Sequence, residues 1–268
     1  MWTKDMFGVN KPIIALLHLD PLPGDPAYSG SMRTVLDHAK ADLLALEDGG
    51  VDGVLFANEF SLPYQPVADI ADISTMAYII GNLKEDLSVP FGVNVVKNPI
   101  ATIDLGAAVG ANFGRSCFSG AYMGEYGLYT SNMGEAIRHR KALGVESMRL
   151  LFKVNPEADS YLVERPIQVV ANSIMFGGFA DGLCVSGPAA GAEPDDTALK
   201  LVHEVAKPKD VPVFCNTGAN HDNIQKLLNC DGVCVGSAFK KDGVFNGRVD
   251  VERVKYFMQA VQQFRSEH

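Results

Sequence analysis

Polar and titratable residues recur in this sequence where short apolar runs end, and their types fall into two chemical groups. The first can move protons or hold charge: His18 closes Ile13-Ile-Ala-Leu-Leu, Glu59 follows Phe56-Ala-Asn, and Lys153 follows Leu150-Leu-Phe. Imidazole and carboxylate are common general acids and bases, so His18 and Glu59 are the acid–base candidates. A lysine placed like Lys153 anchors an anionic substrate or, once desolvated, forms an imine with a carbonyl. Asn58 on the run before Glu59, and Asn94, Arg115, Ser186 and Asn216 at equivalent positions on other runs, could orient substrate hydroxyls. The second group is marked by glycine: Ser186-Gly187-Pro, Thr217-Gly218-Ala219-Asn and Val235-Gly236-Ser237. Such glycines let backbone N–H groups approach an anion, although a tight turn demands the same residue.

The elements that must position these residues alternate along the chain. Short apolar runs fall at 13–18, 53–58, 91–96, 111–117, 148–154, 182–186, 211–216 and 232–236. Between and after them lie helical patterns at 32–48, 73–87, 100–109, 133–143, 165–176, 197–206, 221–228 and 251–265. In the first helical pattern Val35, Ala39, Leu43 and Leu46 form one apolar stripe, as a helix laid on a sheet requires. Eight such units in 268 residues predict a single α/β domain over residues 1–268, a (β/α)8 TIM barrel. An open doubly wound sheet is the alternative, but neither G-x-G-x-x-G nor a Walker A sequence follows any strand.

In such a barrel the loops after the strands build the site, and those after strands seven and eight often hold phosphate. Gly218, Ala219, Gly236 and Ser237 occupy those two places, with Gly187 one unit earlier. The strand period of two turns Asn94 inward with Gly92, where a satisfied structural amide and a substrate contact are equally open readings. The same period forbids Asn58 and Glu59 from both facing inward if the strand runs through them, and leaves the choice open. Asp52, Asp181 and Asp231 each precede a glycine and a strand, an internal repeat that reads as a turn at the opposite, stability end. Arg138, His139 and Arg140 lie on a helical pattern and are expected to face solvent.

The net charge of −9 and the lack of a basic patch disfavour nucleic acid as a partner, leaving small anionic molecules. No apolar run approaches the roughly 20 residues that span a bilayer, and no signal-peptide core opens the chain, so a cytoplasmic location without membrane attachment is expected. Five cysteines without a C-x-x-C pair, and no H-E-x-x-H, predict no metal site and no cofactor; Cys184, Cys215 and Cys234 read as small buried hydrophobes. Homo-oligomerisation is an expectation from the fold class, with no stripe that marks an interface.

Longer runs carry a family resemblance. Leu17-His-Leu-Asp-Pro-Leu-Pro-Gly-Asp-Pro, Phe91-Gly-Val-Asn-Val and Phe239-Lys-Lys-Asp-Gly-Val-Phe resemble the BtpA/SgcQ family, and Phe56-Ala-Asn-Glu-Phe-Ser-Leu-Pro-Tyr its SgcQ branch. Asn132-x-Gly-Glu-x-Ile-Arg-His and Leu183-Cys-Val-Ser-Gly add to the likeness. The resemblance implies a TIM barrel related to the phosphate-binding barrels. Its SgcQ branch is associated with sugar uptake and sugar-phosphate genes, its BtpA branch with photosystem I biogenesis. Ala57, where the BtpA pattern usually carries Glu, and Phe152-Lys-Val-Asn-Pro, where it reads Asp-x-x-x-Lys-His, speak against a photosynthetic role. The leading expectation is an enzyme acting on a phosphorylated sugar or related glycosyl compound, of isomerase, epimerase, aldolase or lyase type. A non-catalytic assembly protein and, more remotely, a nucleotide hydrolase are the competing readings.

Overall fold

A computed structural model describes residues 1–157, 159–189 and 191–267. Eight parallel strands close into a barrel: β1 (Ile13–His18), β2 (Gly53–Ala57), β3 (Phe91–Asn94), β4 (Phe113–Ser116), β7 (Arg149–Lys153), β9 (Gly182–Val185), β10 (Val213–Cys215) and β11 (Gly232–Val235). β1 pairs with β2 on one side and β11 on the other, which closes the ring. The TIM-barrel expectation therefore holds.

The strand period sorts side chains as read from the sequence. Ile13, Leu17, Val54, Phe56, Val93, Leu150, Phe152, Leu183, Val213 and Val233 face outward into one large core shared with the helices. Ile14, Leu55, Phe113, Leu151, Cys184, Phe214 and Cys234 face inward and fill the lower barrel. Glycine makes room for that filling: a Cβ on Gly92 would lie 2.3 Å from the Phe113 ring, and one on Gly232 2.4 Å from the Phe214 ring. Large and small residues on neighbouring strands thus interlock at the density a packed interior demands.

The helices are α2 (Met32–Asp48), α3 (Ile70–Leu83), α4 (Pro99–Val109), α5 (Met133–Ala142), α6 (Ile167–Met175), α7 (Asp196–Ala206), α8 (Ile224–Leu227) and α9 (Val251–Glu267). α8 is one turn, shorter than its pattern, because Asn220 and Asn223 cap each other's backbone N–H groups and hold 220–223 out of the helix. Arg140 contradicts the solvent-facing expectation. It is 8 % exposed and donates to the Met148 carbonyl at 3.1 Å and to Asp181 at 2.6 Å.

Two features were not anticipated. A helix α1 (Trp2–Phe7), closed by Gly8 in the left-handed region, plugs the lower end of the barrel with Phe7, whose ring stacks edge-on to Phe113 at 5.8 Å. The second is a small antiparallel sheet of β5 (Gly120–Gly124), β6 (Gly127–Ser131) and β8 (Ser160–Tyr161), inserted after β4 and β7. No helix among the described residues is long and apolar enough to cross a membrane.

Candidate active site at the strand ends

A cavity of about 980 Å3 opens at the C-terminal ends of the barrel strands. Its floor is polar because the inward positions change character there: apolar Phe113, Leu151 and Phe214 are each followed two residues later by Arg115, Lys153 and Asn216. Arg115, 3 % exposed, is the centre of the floor. One guanidinium nitrogen donates to Asn216 Oδ1 at 2.9 Å and another to Asn94 Oδ1 at 3.1 Å, while its Nε has no hydrogen-bond partner among the described residues. Asn216 then passes its amide protons to Glu157 Oε1 at 2.6 Å and Ser186 Oγ at 2.9 Å. Lys153 pairs with the other Glu157 oxygen at 2.7 Å.

This network fixes the charges. Burial alone would raise the Glu157 carboxyl, but the Lys153 ammonium and Arg115 guanidinium outweigh it and hold the group below its ordinary range. Burial works to lower Lys153, and the Glu157 carboxylate reverses it, so the ammonium is held above its ordinary range. Lys153 is therefore an anchored cation. The free amine that imine chemistry needs is disfavoured there. Glu157 was not picked out from the sequence, because it lies four residues past Lys153 in a loop and returns to the site only through Lys153, Ser186 and Asn216.

His18 and Glu59 both line the cavity. β2 ends at Ala57, which removes the alternation conflict between residues 58 and 59. Asn58 turns sideways, accepting the Val96 N–H at 2.8 Å, and is not among the residues lining the cavity. Glu59 is half-buried there, with Tyr64 Oη donating to its Oε1 at 3.2 Å. Behind His18 lies another residue the sequence reading passed over: Lys240, 1 % exposed, has its ammonium 3.3 Å from His18 Nδ1.

The glycine-marked loops after β10 and β11 meet on the side of the cavity where β1 carries His18. Gly218, at φ +76°, lies so close to the Glu193 backbone that a Cβ would stand 2.3 Å from it. Among the described residues the N–H groups of Gly218, Ala219 and Ser237 have no hydrogen-bond acceptor. Gly236 adjoins His18, and Arg253, another residue missed, reaches the same rim by bonding the Ala238 carbonyl at 3.0 Å. Gly187 does not join this group: its N–H is taken by Thr217 Oγ1 at 2.6 Å, and Ala192 and Glu193 pack against its α-carbon. Ser186 is likewise absent from the lining and acts through Asn216 and Glu157.

The small sheet roofs the opening. Tyr122, Tyr129 and Tyr161 pack over Cys117, and the tip of the β5–β6 hairpin places Tyr126 5.3 Å from Tyr64 and 4.8 Å from the Lys97 ammonium. Lys97 pairs with Asp159 at 2.7 Å, both side chains nearly buried. Among the described residues no three His, Cys, Asp or Glu side chains are grouped to hold a metal ion.

Comparison with known proteins agrees with this architecture. The sequence pattern of the BtpA family matches residues 9–263. The sgc region protein SgcQ of Escherichia coli K12 is 44% identical over 267 residues, covering 98% of this chain and 99% of its own. The photosystem I biogenesis protein BtpA of Synechocystis is 31% identical, covering 96% of this chain and 90% of its own. Among solved structures, phosphoribosyl anthranilate isomerase from Thermus thermophilus superposes with a TM-score of 0.57 at 13% identity, covering 95% of this chain and all of its own. Dihydropteroate synthase from Xanthomonas albilineans gives 0.60 at 10% identity, covering 96% and 92%. At such identities these structures speak to the fold alone.

Proposed function

This chain belongs to the BtpA family, and from that premise and its cavity we propose an enzyme acting on a phosphorylated sugar or related glycosyl compound. The observation that carries the reading is the group of N–H donors at Gly218, Ala219 and Ser237, unengaged among the described residues, in a cavity that Arg253, His18 and Glu59 also line. Backbone donors of this kind suit a phosphate, whose charge would be held without burying a counter-ion. Arg115 and the Lys153 ammonium make the floor electropositive toward a hydroxylated carbon skeleton. Asn94 and Asn216, aimed by Arg115, orient its hydroxyls. Glu59 is the carboxylate that moves a proton, and His18 is the partner to a substrate oxygen. With Lys153 protonated, isomerisation or epimerisation through a proton shift fits better than an imine-forming aldolase.

The relative named for photosystem I biogenesis keeps a second reading open, a non-catalytic assembly protein. Thermal stabilisation by phosphorylated pentoses and hexoses separates the two. A bound ligand at 100 times its dissociation constant adds about 2.7 kcal/mol, which shifts a domain of this size by a few degrees. Such a shift, abolished in Ser237→Asp, is expected. Ser237→Asp is preferred to a change at Gly218, where any side chain would collide with Glu193. No shift across the panel favours the assembly reading.

A further inference from the structure

The His18–Lys240 pair goes beyond this reading and rests on it. Lys240 lies outside the lining of the cavity, yet its ammonium sits behind His18, boxed by the Phe60 and Phe245 rings at 4.6 and 5.5 Å. One of its protons goes to the Phe245 carbonyl at 2.6 Å, and Nδ1 of His18 lies 3.3 Å away. An ammonium has protons to give and no lone pair to receive one, so Nδ1 must accept and the ring proton must sit on Nε2. Phe60 and Phe245 also pack edge-on against the imidazole, at 5.7 and 5.5 Å, and fix its plane.

His18 itself, unlike Lys240, lines the cavity. Nε2 is buried and has no partner among the described residues. Gly236 is its neighbour there, where a Cβ would approach to 3.4 Å of Cε1 and 3.7 Å of Nε2. A buried donor left open in this way costs free energy unless a ligand or water completes it. We infer that Lys240 is a positioning residue that locks His18 as a neutral imidazole, whose Nε2–H is the donor for a carbonyl or enolate oxygen of the phosphorylated substrate. A neutral donor steadies charge growing on that oxygen and keeps the ring proton through the reaction. The substrate class narrows accordingly to phosphorylated aldoses or ketoses that react next to a carbonyl.

Burial, followed by the charges of Lys240 and Arg115, pushes the imidazole well below its ordinary range, in keeping with the lock. The groups around Lys240 itself are Asp42, Asp20 and Glu59, which favour its charge, and Arg248, which opposes it.

The test is nitrogen-15 NMR of the full chain, with the His18 signals assigned by their loss in His18→Gln. The expected result is an Nε2–H tautomer that does not titrate between pH 5 and 8. Its Nε2–H signal should move with dihydroxyacetone phosphate and stay in place with inorganic phosphate or glycerol 3-phosphate. In Lys240→Met, the imidazole should titrate closer to its ordinary value or mix tautomers. That variant should bind the keto ester about tenfold more weakly, the scale of one lost hydrogen bond, with phosphate affinity unchanged. A Nδ1–H tautomer, or ordinary titration in the parent protein, overturns the inference. So does an equal response to inorganic phosphate, which would make His18 part of the phosphate site. Phosphate binding without any response at Nε2–H sinks the inference alone, whereas failure of every phosphate ester to bind sinks the proposed function and the ligand half of the inference together.

Discussion

At the scale of single residues, the site is governed by which charges are buried with a partner and which without. Glu157 and Lys153 are buried together, so Glu157→Gln keeps the shape but strands the ammonium. A loss of about 3 kcal/mol is expected at pH 7, the cost of breaking a buried pair. It should shrink as pH rises and Lys153 can shed its proton, which urea unfolding at several pH values would show. Lys240 is the opposite case, since burial lowers its ammonium from 10.5 to about 8. Below pH 8 both folded and unfolded chains hold this proton and the folded protein bears the full penalty; between about 8 and 10.5 the unfolded chain holds it more tightly, so this group's contribution to stability rises with pH. Lys240→Met should therefore stabilise the protein at pH 7 by about 1 kcal/mol, after allowing for the two acceptors it orphans, the Phe245 carbonyl and His18 Nδ1, with the gain fading toward pH 10. Equal gain at both ends of that range would refute the buried-charge account.

At the scale of elements, the aspartates repeated before strands prove to be struts between neighbouring strands. Asp52 accepts the Ile13 N–H at 2.7 Å, Asp181 the Leu150 N–H at 2.9 Å and Asp231 the Val213 N–H at 2.9 Å. Asn112 completes the series on Phe91 at 3.0 Å, so every second strand of the barrel is tied at its start to the one before it. The sequence repeat was legible for the three Asp-Gly pairs and hidden for Asn112, whose amide does the same work under another name. Asp181 also receives Arg140 and Arg149, and Asp181→Ala should cost about 3 kcal/mol through the donors it orphans. Ligand affinity should not change, because these struts stand at the end of the barrel away from the cavity. A calorimetric titration showing weakened binding would contradict that separation. The β5–β6 hairpin was invisible for a different reason. Its buried face carries Tyr122 and Tyr129, but its outer face carries Met123 and Leu128, 59 % and 58 % exposed, so the alternation that announces a strand is erased.

At the scale of the whole molecule, the barrel has a closed end and an open one. The closed end owes its seal to α1, with Phe7 against Phe113 and Trp2 donating to the Asp181 carbonyl at 2.7 Å. Phe7→Ala should lower unfolding free energy by about 3 kcal/mol, as emptying a large buried site does, and leave the cavity's ligand response intact. Loss of both together in thermal melts would mean that the two ends are coupled through the interior. Six residues are too few for a periodic pattern to register, which is why the plug escaped the sequence reading.

What the sequence determined by itself is the barrel, its strand faces and the identity of most polar groups at the strand ends. Those follow from local periodicity: a residue's place in a strand decides whether it faces the core, and a (β/α)8 closure brings all strand ends together. Tertiary structure alone decided the partners. Asn58 is spent on a backbone N–H, Gly187 on Thr217, and Lys153 on a glutamate. Glu157, Lys240 and Arg253 enter the site's surroundings from loops and a helix with no strand-end signature. Period and composition say where a side chain points; which charge or donor it meets depends on chain segments that can be more than 200 residues away, as the His18–Lys240 separation of 222 residues makes plain.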